Sequence, residues 1–112
     1  DYPDIASLLC ENVLRQGGWG ILVCGTGIGM SIAANKIKGI RAALCHEPFS
    51  ARMARAHNDA NILVLGGRVT GRELAIEIVK VFTNTGFDGG RHEERVKKIG
   101  LLEGEHCLRH KK

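Results

Sequence analysis

Aromatic residues are scarce in this chain of 112 residues, which has one tryptophan, one tyrosine and three phenylalanines. Nucleic-acid surfaces interleave aromatics with basic residues, so the net charge of +4 does not read as a nucleic-acid interface. Long apolar runs are also missing. Nothing approaches the roughly 20 residues of a bilayer-spanning helix, and no membrane partner is expected. No cationic stretch followed by an apolar run reads as a secretory signal, so the expected location is cytoplasmic. The four cysteines, Cys10, Cys24, Cys45 and Cys107, include no C-x-x-C pair. That spacing argues against a zinc site and against a disulfide framework, and favours free thiols in a reducing compartment. A charged fraction of 25% and a hydrophobic fraction of 44% are ordinary for one globular domain spanning residues 1–112. The surplus of positive charge suits a small phosphorylated ligand.

What is present is an alternation of helical and extended patterns. Ile5, Leu8, Leu9 and Val13 mark an amphipathic helix that stops at Gly17-Gly18. Gly20 to Cys24 reads as a strand, and Gly29 to Lys38 as a helix ended by Gly39. Ile40 to Cys45 is a second strand, and Pro48 opens a helix running to about His57. Ile62 to Leu65 is a third strand closed by Gly66-Gly67, followed by a helix from about Gly71 to Asn84. A loop at Gly86 to Gly90 leads to a last helix through Val96, Ile99 and Leu102, before a basic tail from about residue 103. Strands that are almost continuously apolar and separated by helices predict a parallel sheet covered on both faces. This is a three-layer, Rossmann-like α/β arrangement, whose ligands bind outside the carboxyl ends of the strands. Those ends are Cys24 with its loop, Cys45-His46-Glu47 and Gly66-Gly67-Arg68. Three strands make a thin sheet and the chain opens on a helix, so the domain is expected to be incomplete at its amino end.

The richest stretch is Cys24-Gly25-Thr26-Gly27-Ile28-Gly29. A strand, a glycine loop and a helix start together aim backbone N–H groups at one spot, which suits an anion. A cysteine there is a candidate base or nucleophile, or an inert buried thiol. The loop is not a dinucleotide fingerprint, because Met30 stands where a third glycine belongs, and no Gly-Lys-Ser/Thr follows to make a phosphate loop. His57, beside Asn58 and Asp59, can act as an acid or base near neutral pH if a carboxylate fixes its tautomer, or can simply end a helix at a turn. Arg91 and Arg95 lie one helical turn apart, where they can clamp a phosphate or pair with carboxylates on a solvated face. Arg68 is a further candidate on the ligand edge.

Taken in order, several blocks resemble the ribose-5-phosphate isomerase B family, which also holds galactose-6-phosphate isomerase subunits. They are Asp1-Tyr2-Pro3, the Cys24 to Gly29 loop with Ala33-Ala34-Asn35-Lys36, Gly39-Ile40-Arg41-Ala42, Glu47-Pro48, His57-Asn58-Asp59-Ala60-Asn61 and Gly89-Gly90-Arg91-His92. The resemblance implies a flavodoxin-like strand order and a cofactor-free aldose–ketose isomerisation through an enediolate, with no metal. It implies Cys24 as the base, Thr26 as support for its thiolate, and His57 as the group that opens the sugar ring. Tyr2, Asn58 and the amides of Gly25, Gly27, Ile28 and Gly29 would face the sugar and the enediolate, and Arg68, Arg91 and Arg95 the phosphate. The implied assembly is a homodimer with shared sites, or a tetramer, in which His57, Asn58 and Arg68 come from the neighbouring chain. Met30 occupies the place where another branch of the family carries a glutamate base, which puts this chain in the cysteine branch. The family also has an upstream strand ending in a Gly-Ser-Asp-His-Ala-Gly-like motif, expected to pair beside the strand that ends at Cys24. The implied substrate is ribose 5-phosphate. The alternatives are galactose 6-phosphate or allose 6-phosphate, or a non-catalytic sugar-phosphate-binding module.

Overall fold

The computed structural model describes the backbone of residues 1–110 and side chains through residue 104. The end of the basic tail, Lys111 and Lys112, and the side chains of Cys107 and Arg109 lie outside the described residues. Eight elements follow one another: α1 (Tyr2–Gln16), β1 (Gly20–Cys24), α2 (Ile28–Ala34), β2 (Ala42–Leu44), α3 (Pro48–Ala56), β3 (Ile62–Gly66), α4 (Arg72–Thr83) and α5 (Arg91–His110).

All three strands run parallel, in the order β1-β3-β2. The parallel α/β sheet is the one the sequence predicts. Its order differs from a consecutive flavodoxin-like succession, because the third strand sits in the centre. Composition explains that choice: Ile62-Leu63-Val64-Leu65-Gly66 is buried along its whole length, whereas β2 is a half-buried run of three residues. A strand apolar on both faces is stable only with neighbours on both sides and helices above and below.

Alternation along β3 feeds two cores. Ile62 and Val64 join Ala6, Cys10, Val13, Leu22, Met30 and Ala34 beneath α1 and α2. Leu63 and Leu65 join Ala51, Ala54, Ile78 and Phe82 beneath α3 and α4. The central residues Ile62, Leu63 and Val64 are fully buried. Each such side chain contributes on the order of 1.5–3 kcal/mol relative to exposure. Among the described residues β1 pairs only with β3, so its outer edge offers unpaired backbone groups and leaves Val23 54% exposed. This is the edge beside which the resemblance places a further strand.

Two elements are shorter than their patterns suggest, and one is longer. The second helix ends at Ala34 because the side chain of Asn35 binds backbone instead of continuing the turn. Its Nδ2 donates to the Ala42 carbonyl at 2.9 Å, and its Oδ1 accepts from the Ala42 N–H at 2.8 Å. That pairing competes directly with the helix ladder. The second strand starts late because the Ile40 N–H is turned back onto the Ile37 carbonyl and the Arg41 N–H onto Asn61 Oδ1. Conversely, α5 begins at Arg91 and runs through the first part of the basic tail. Leucine, lysine, arginine and glutamate are all good helix formers.

Candidate active site

Parallel strands put their carboxyl ends on one edge, and three predicted residues meet there. Cys24 closes β1, half-buried, and its loop is tied to the loop after β3 by two backbone bonds: the Gly67 N–H donates to the Cys24 carbonyl at 2.7 Å, and the Arg68 N–H to that of Gly25 at 2.9 Å. The stem of Arg68 lies along Gly25, where an added methyl would sit 3.7 Å from both its Cδ and Nε. Within one chain, Arg68 stands beside that chain's own cysteine loop. The two loops are fused because Gly66 lets the backbone of Thr26 come close; a Cβ there would fall 2.5 Å from the Thr26 carbonyl oxygen.

Tyr2 completes this group from α1. Its ring covers Gly29, and a Cβ on Gly29 would lie 2.7 Å from the ring and 2.8 Å from the hydroxyl. Gly27 adopts a φ of 83° and packs against Leu44 and the backbone of Leu65, so a side chain is excluded on both conformational and steric grounds. The Thr26 hydroxyl accepts the Ile28 N–H at 3.2 Å. Thr26 thus shapes the turn, and no hydrogen bond joins it to Cys24 among the described residues. The N–H groups of Gly25, Thr26, Gly27 and Gly29 likewise have no protein acceptor among the described residues. Open amides at a strand end can stabilise a developing oxyanion without reorganising. With α2 only seven residues long, the cradle is a property of the loop amides more than of a helix terminus.

The other predicted residues gather elsewhere. α3 runs back from the carboxyl edge toward the start of β3, so His57 and Asn58 lie at the amino edge of the sheet. The five residues of β1 alone separate the two edges by about 16 Å. There His57 stacks on His92, with ring centroids 4.1 Å apart and 9° between planes. The loop before α5 is pinned to this end of α3 by the Asp88 N–H, which donates to the Ala56 carbonyl at 2.9 Å. Arg91 and Arg95 therefore belong with His57. Neither guanidinium is in an ion pair among the described residues, so the solvated-face alternative lacks its carboxylate partners.

Asp59, the nearest carboxylate in sequence, does not serve His57. It accepts from Arg55 at 3.0 Å and faces Arg41 at 3.5 Å, within a turn in which its φ is 47°. The carboxylate gathered beside the histidines is that of Asp88, one of its oxygens and one nitrogen each of His57 and His92 lying within 4.8 Å of one another. Sequence reasoning missed Asp88 and the role of His92; the signal available was the adjacency of His92 to Arg91 in the Gly89-Gly90-Arg91-His92 block. The three side chains offer metal-ligand atoms, but two parallel rings direct their in-plane lone pairs side by side and not onto one point. Desolvation lowers the His92 imidazole pKa, and the charges of His57, Arg91 and Arg95 lower it further against the opposing pull of Asp88.

Residues 1–99 match the sequence profile of the family described as Ribose/Galactose Isomerase. The chain belongs to that family. It is 51% identical over 106 residues to ribose-5-phosphate isomerase B of Escherichia coli, covering 92% of this chain and 70% of that protein. It is 49% identical over 104 residues to a D-erythrulose-4-phosphate isomerase of Pectobacterium atrosepticum, covering 91% of this chain and 68% of that one. Among solved structures, ribose 5-phosphate isomerase of Thermotoga maritima superposes with a TM-score of 0.87 at 59% identity, over 90% of this chain and 70% of that chain. No helix among the described residues of this family member is long and apolar enough to cross a membrane.

Proposed function

We propose that the chain is a sugar-phosphate aldose–ketose isomerase that interconverts ribose 5-phosphate and ribulose 5-phosphate, with Cys24 as the base. The observation that carries this reading is the placement of Cys24 at a strand end beside four backbone amides that have no acceptor among the described residues. The reaction moves a proton between C1 and C2 of the open sugar. A thiolate takes the carbon-bound proton, negative charge develops on the neighbouring oxygen, and the amides of Gly25 to Gly29 meet that charge. The proton then returns to the other carbon, and the enediolate collapses to the product carbonyl. Tyr2, on Gly29, and Arg68, on Gly25, wall the loop on either side.

His57 opens the furanose ring before this step, Asn58 touches the sugar, and Arg91 with Arg95 holds the phosphate. Binding energy from a dianion remote from the reacting carbons serves to orient them. One chain places the cysteine half and the histidine–arginine half on opposite sheet edges, which favours a site completed by a second copy in a homodimer. The protein's place of work in this reading is the cytoplasm, where its free thiols stay reduced.

The test is proton transfer itself. Cys24→Ala should lower isomerisation of ribose 5-phosphate by at least roughly a hundredfold and abolish solvent-hydrogen exchange at C1 of ribulose 5-phosphate. Unchanged exchange would remove Cys24 from the chemistry. A panel of four-, five- and six-carbon sugar phosphates ranks the substrates, and binding of all of them without turnover would favour the non-catalytic alternative.

A further inference from the structure

His92 lies outside the machinery described above, yet its ring is held against the face of the ring-opening candidate. His57 comes from the end of α3 and His92 from the first turn of α5, and their planes are within 9° of parallel at 4.1 Å. Both sides of the contact are anchored by backbone. The His57 N–H donates to the Met53 carbonyl at 2.8 Å, and the His92 N–H donates to that of Gly89 at 3.1 Å. A carboxylate oxygen of Asp88 and one nitrogen of each ring lie within 4.8 Å of one another.

The charges around the stack decide what it can hold. Two imidazolium ions face to face would repel each other. From α5, Arg91 and Arg95 face His92; from α3, His57 does; from the loop, Asp88 is the single opposing charge. Burial and these positive charges disfavour the imidazolium form of His92, against the opposing pull of Asp88. We propose that His92 is a positioning residue for His57, whose stacked ring fixes the plane in which His57 presents its proton to the ring oxygen of a closed sugar phosphate. In that step the bond from C1 to the ring oxygen breaks, the ring oxygen gains a proton, and the C1 hydroxyl loses one to become the aldehyde. No oxidant or reductant is needed.

This inference rests on reading His57 as the ring-opening group, and the experiment separates the two. Ribulose 5-phosphate has its C5 oxygen phosphorylated and closes no furanose ring, so its solvent-hydrogen exchange at C1 bypasses ring opening. His92→Ala should lower turnover of ribose 5-phosphate roughly tenfold while leaving exchange into ribulose 5-phosphate within about twofold. His92→Phe, which restores a flat ring, should recover most of the turnover. Equal loss in both assays, no loss in either, or failure of His92→Phe to recover would overturn the positioning role. His57→Ala is measured alongside. If it fails to show the same selective loss, the reading of His57 falls first; if it shows that loss and His92→Ala does not, only the inference about His92 falls.

Discussion

Cys24 and His57 lie at opposite edges of one parallel sheet, the first ending β1 and the second following the helix that leads back to the start of β3. The proposed site completed by a second copy makes a sharp prediction. Cys24→Ala and the double variant His57→Ala/Arg91→Ala should each be inactive alone. Mixed and allowed to exchange subunits, they form hybrids in which one of two sites draws both halves from intact chains. Random reassortment should restore about a quarter of wild-type activity. If native mass spectrometry shows hybrids and the mixture stays inactive, each chain builds its site alone.

Gly66, at the end of β3 against the cysteine loop, and Gly29, within that loop, should respond differently to the same added methyl. On Gly66 the methyl meets the Thr26 backbone at 2.5 Å, and neither loop can yield without parting from the other. Gly66→Ala should destabilise the fold by about 2 kcal/mol or more in urea unfolding. On Gly29 the atoms nearest the methyl are the ring and hydroxyl of Tyr2, a side chain 49% exposed that can swing outward. Gly29→Ala should leave stability within about 1 kcal/mol and raise KM several-fold as Tyr2 leaves the site. Equal stability losses in the two variants would contradict this division.

Cys45 supplies a pH-dependent contribution to stability that is separate from the chemistry. Burial pushes its thiol from the ordinary 9.0 up to about 11, with the Glu47 carboxylate adding to the effect. The folded state therefore holds the thiol proton more tightly than the unfolded chain does. The resulting stabilisation is fully present below about pH 9 and is lost as the pH climbs toward 11. Urea unfolding at pH 8 and pH 10.5 should show a decrease in wild type larger by roughly 2 kcal/mol than in Cys45→Ala, which lacks this one buried thiol and keeps the others. A parallel decrease in the two proteins would refute the assignment.

Much of this architecture is legible from periodicity alone. β3 announces itself as Ile62-Leu63-Val64-Leu65, and such a run is stable only when covered on both faces. Its central position was not legible, since strand order depends on which edges best bury a side chain and not on succession along the chain. The early end of α2 was hidden for a related reason: the Asn35 side chain finds its partner, Ala42, across a turn. The site divides in the same way. The Cys24 loop is local in sequence and could be read directly, while Arg68 beside Gly25 and His92 on His57 are contacts that only the folded chain creates.

The turn that carries His57 and Asn58 depends on Asp59, which offers a final test. Asp59 adopts a φ of 47°, a conformation that aspartate and asparagine tolerate better than alanine. Its carboxylate accepts from Arg55 at 3.0 Å and faces Arg41 at 3.5 Å, ion pairs that solvent screens because the Asp59 side chain is 37% exposed. Arg55 in turn donates to the Ala60 and Thr85 carbonyls and lies 5.7 Å over the Phe82 ring, so the turn is braced from the core below. Asp59→Ala loses the pairs and adds backbone strain, and should lower stability by about 1–2 kcal/mol. Asp59→Asn keeps the backbone preference and a hydrogen-bonding carbonyl, and should lose less than half of that. Turnover of ribose 5-phosphate should fall in Asp59→Ala as His57 loses its register, and stay near wild type in Asp59→Asn. Thermal unfolding and kcat measured on the two variants decide the point: if asparagine proves as damaging as alanine, charge and not backbone conformation holds the turn.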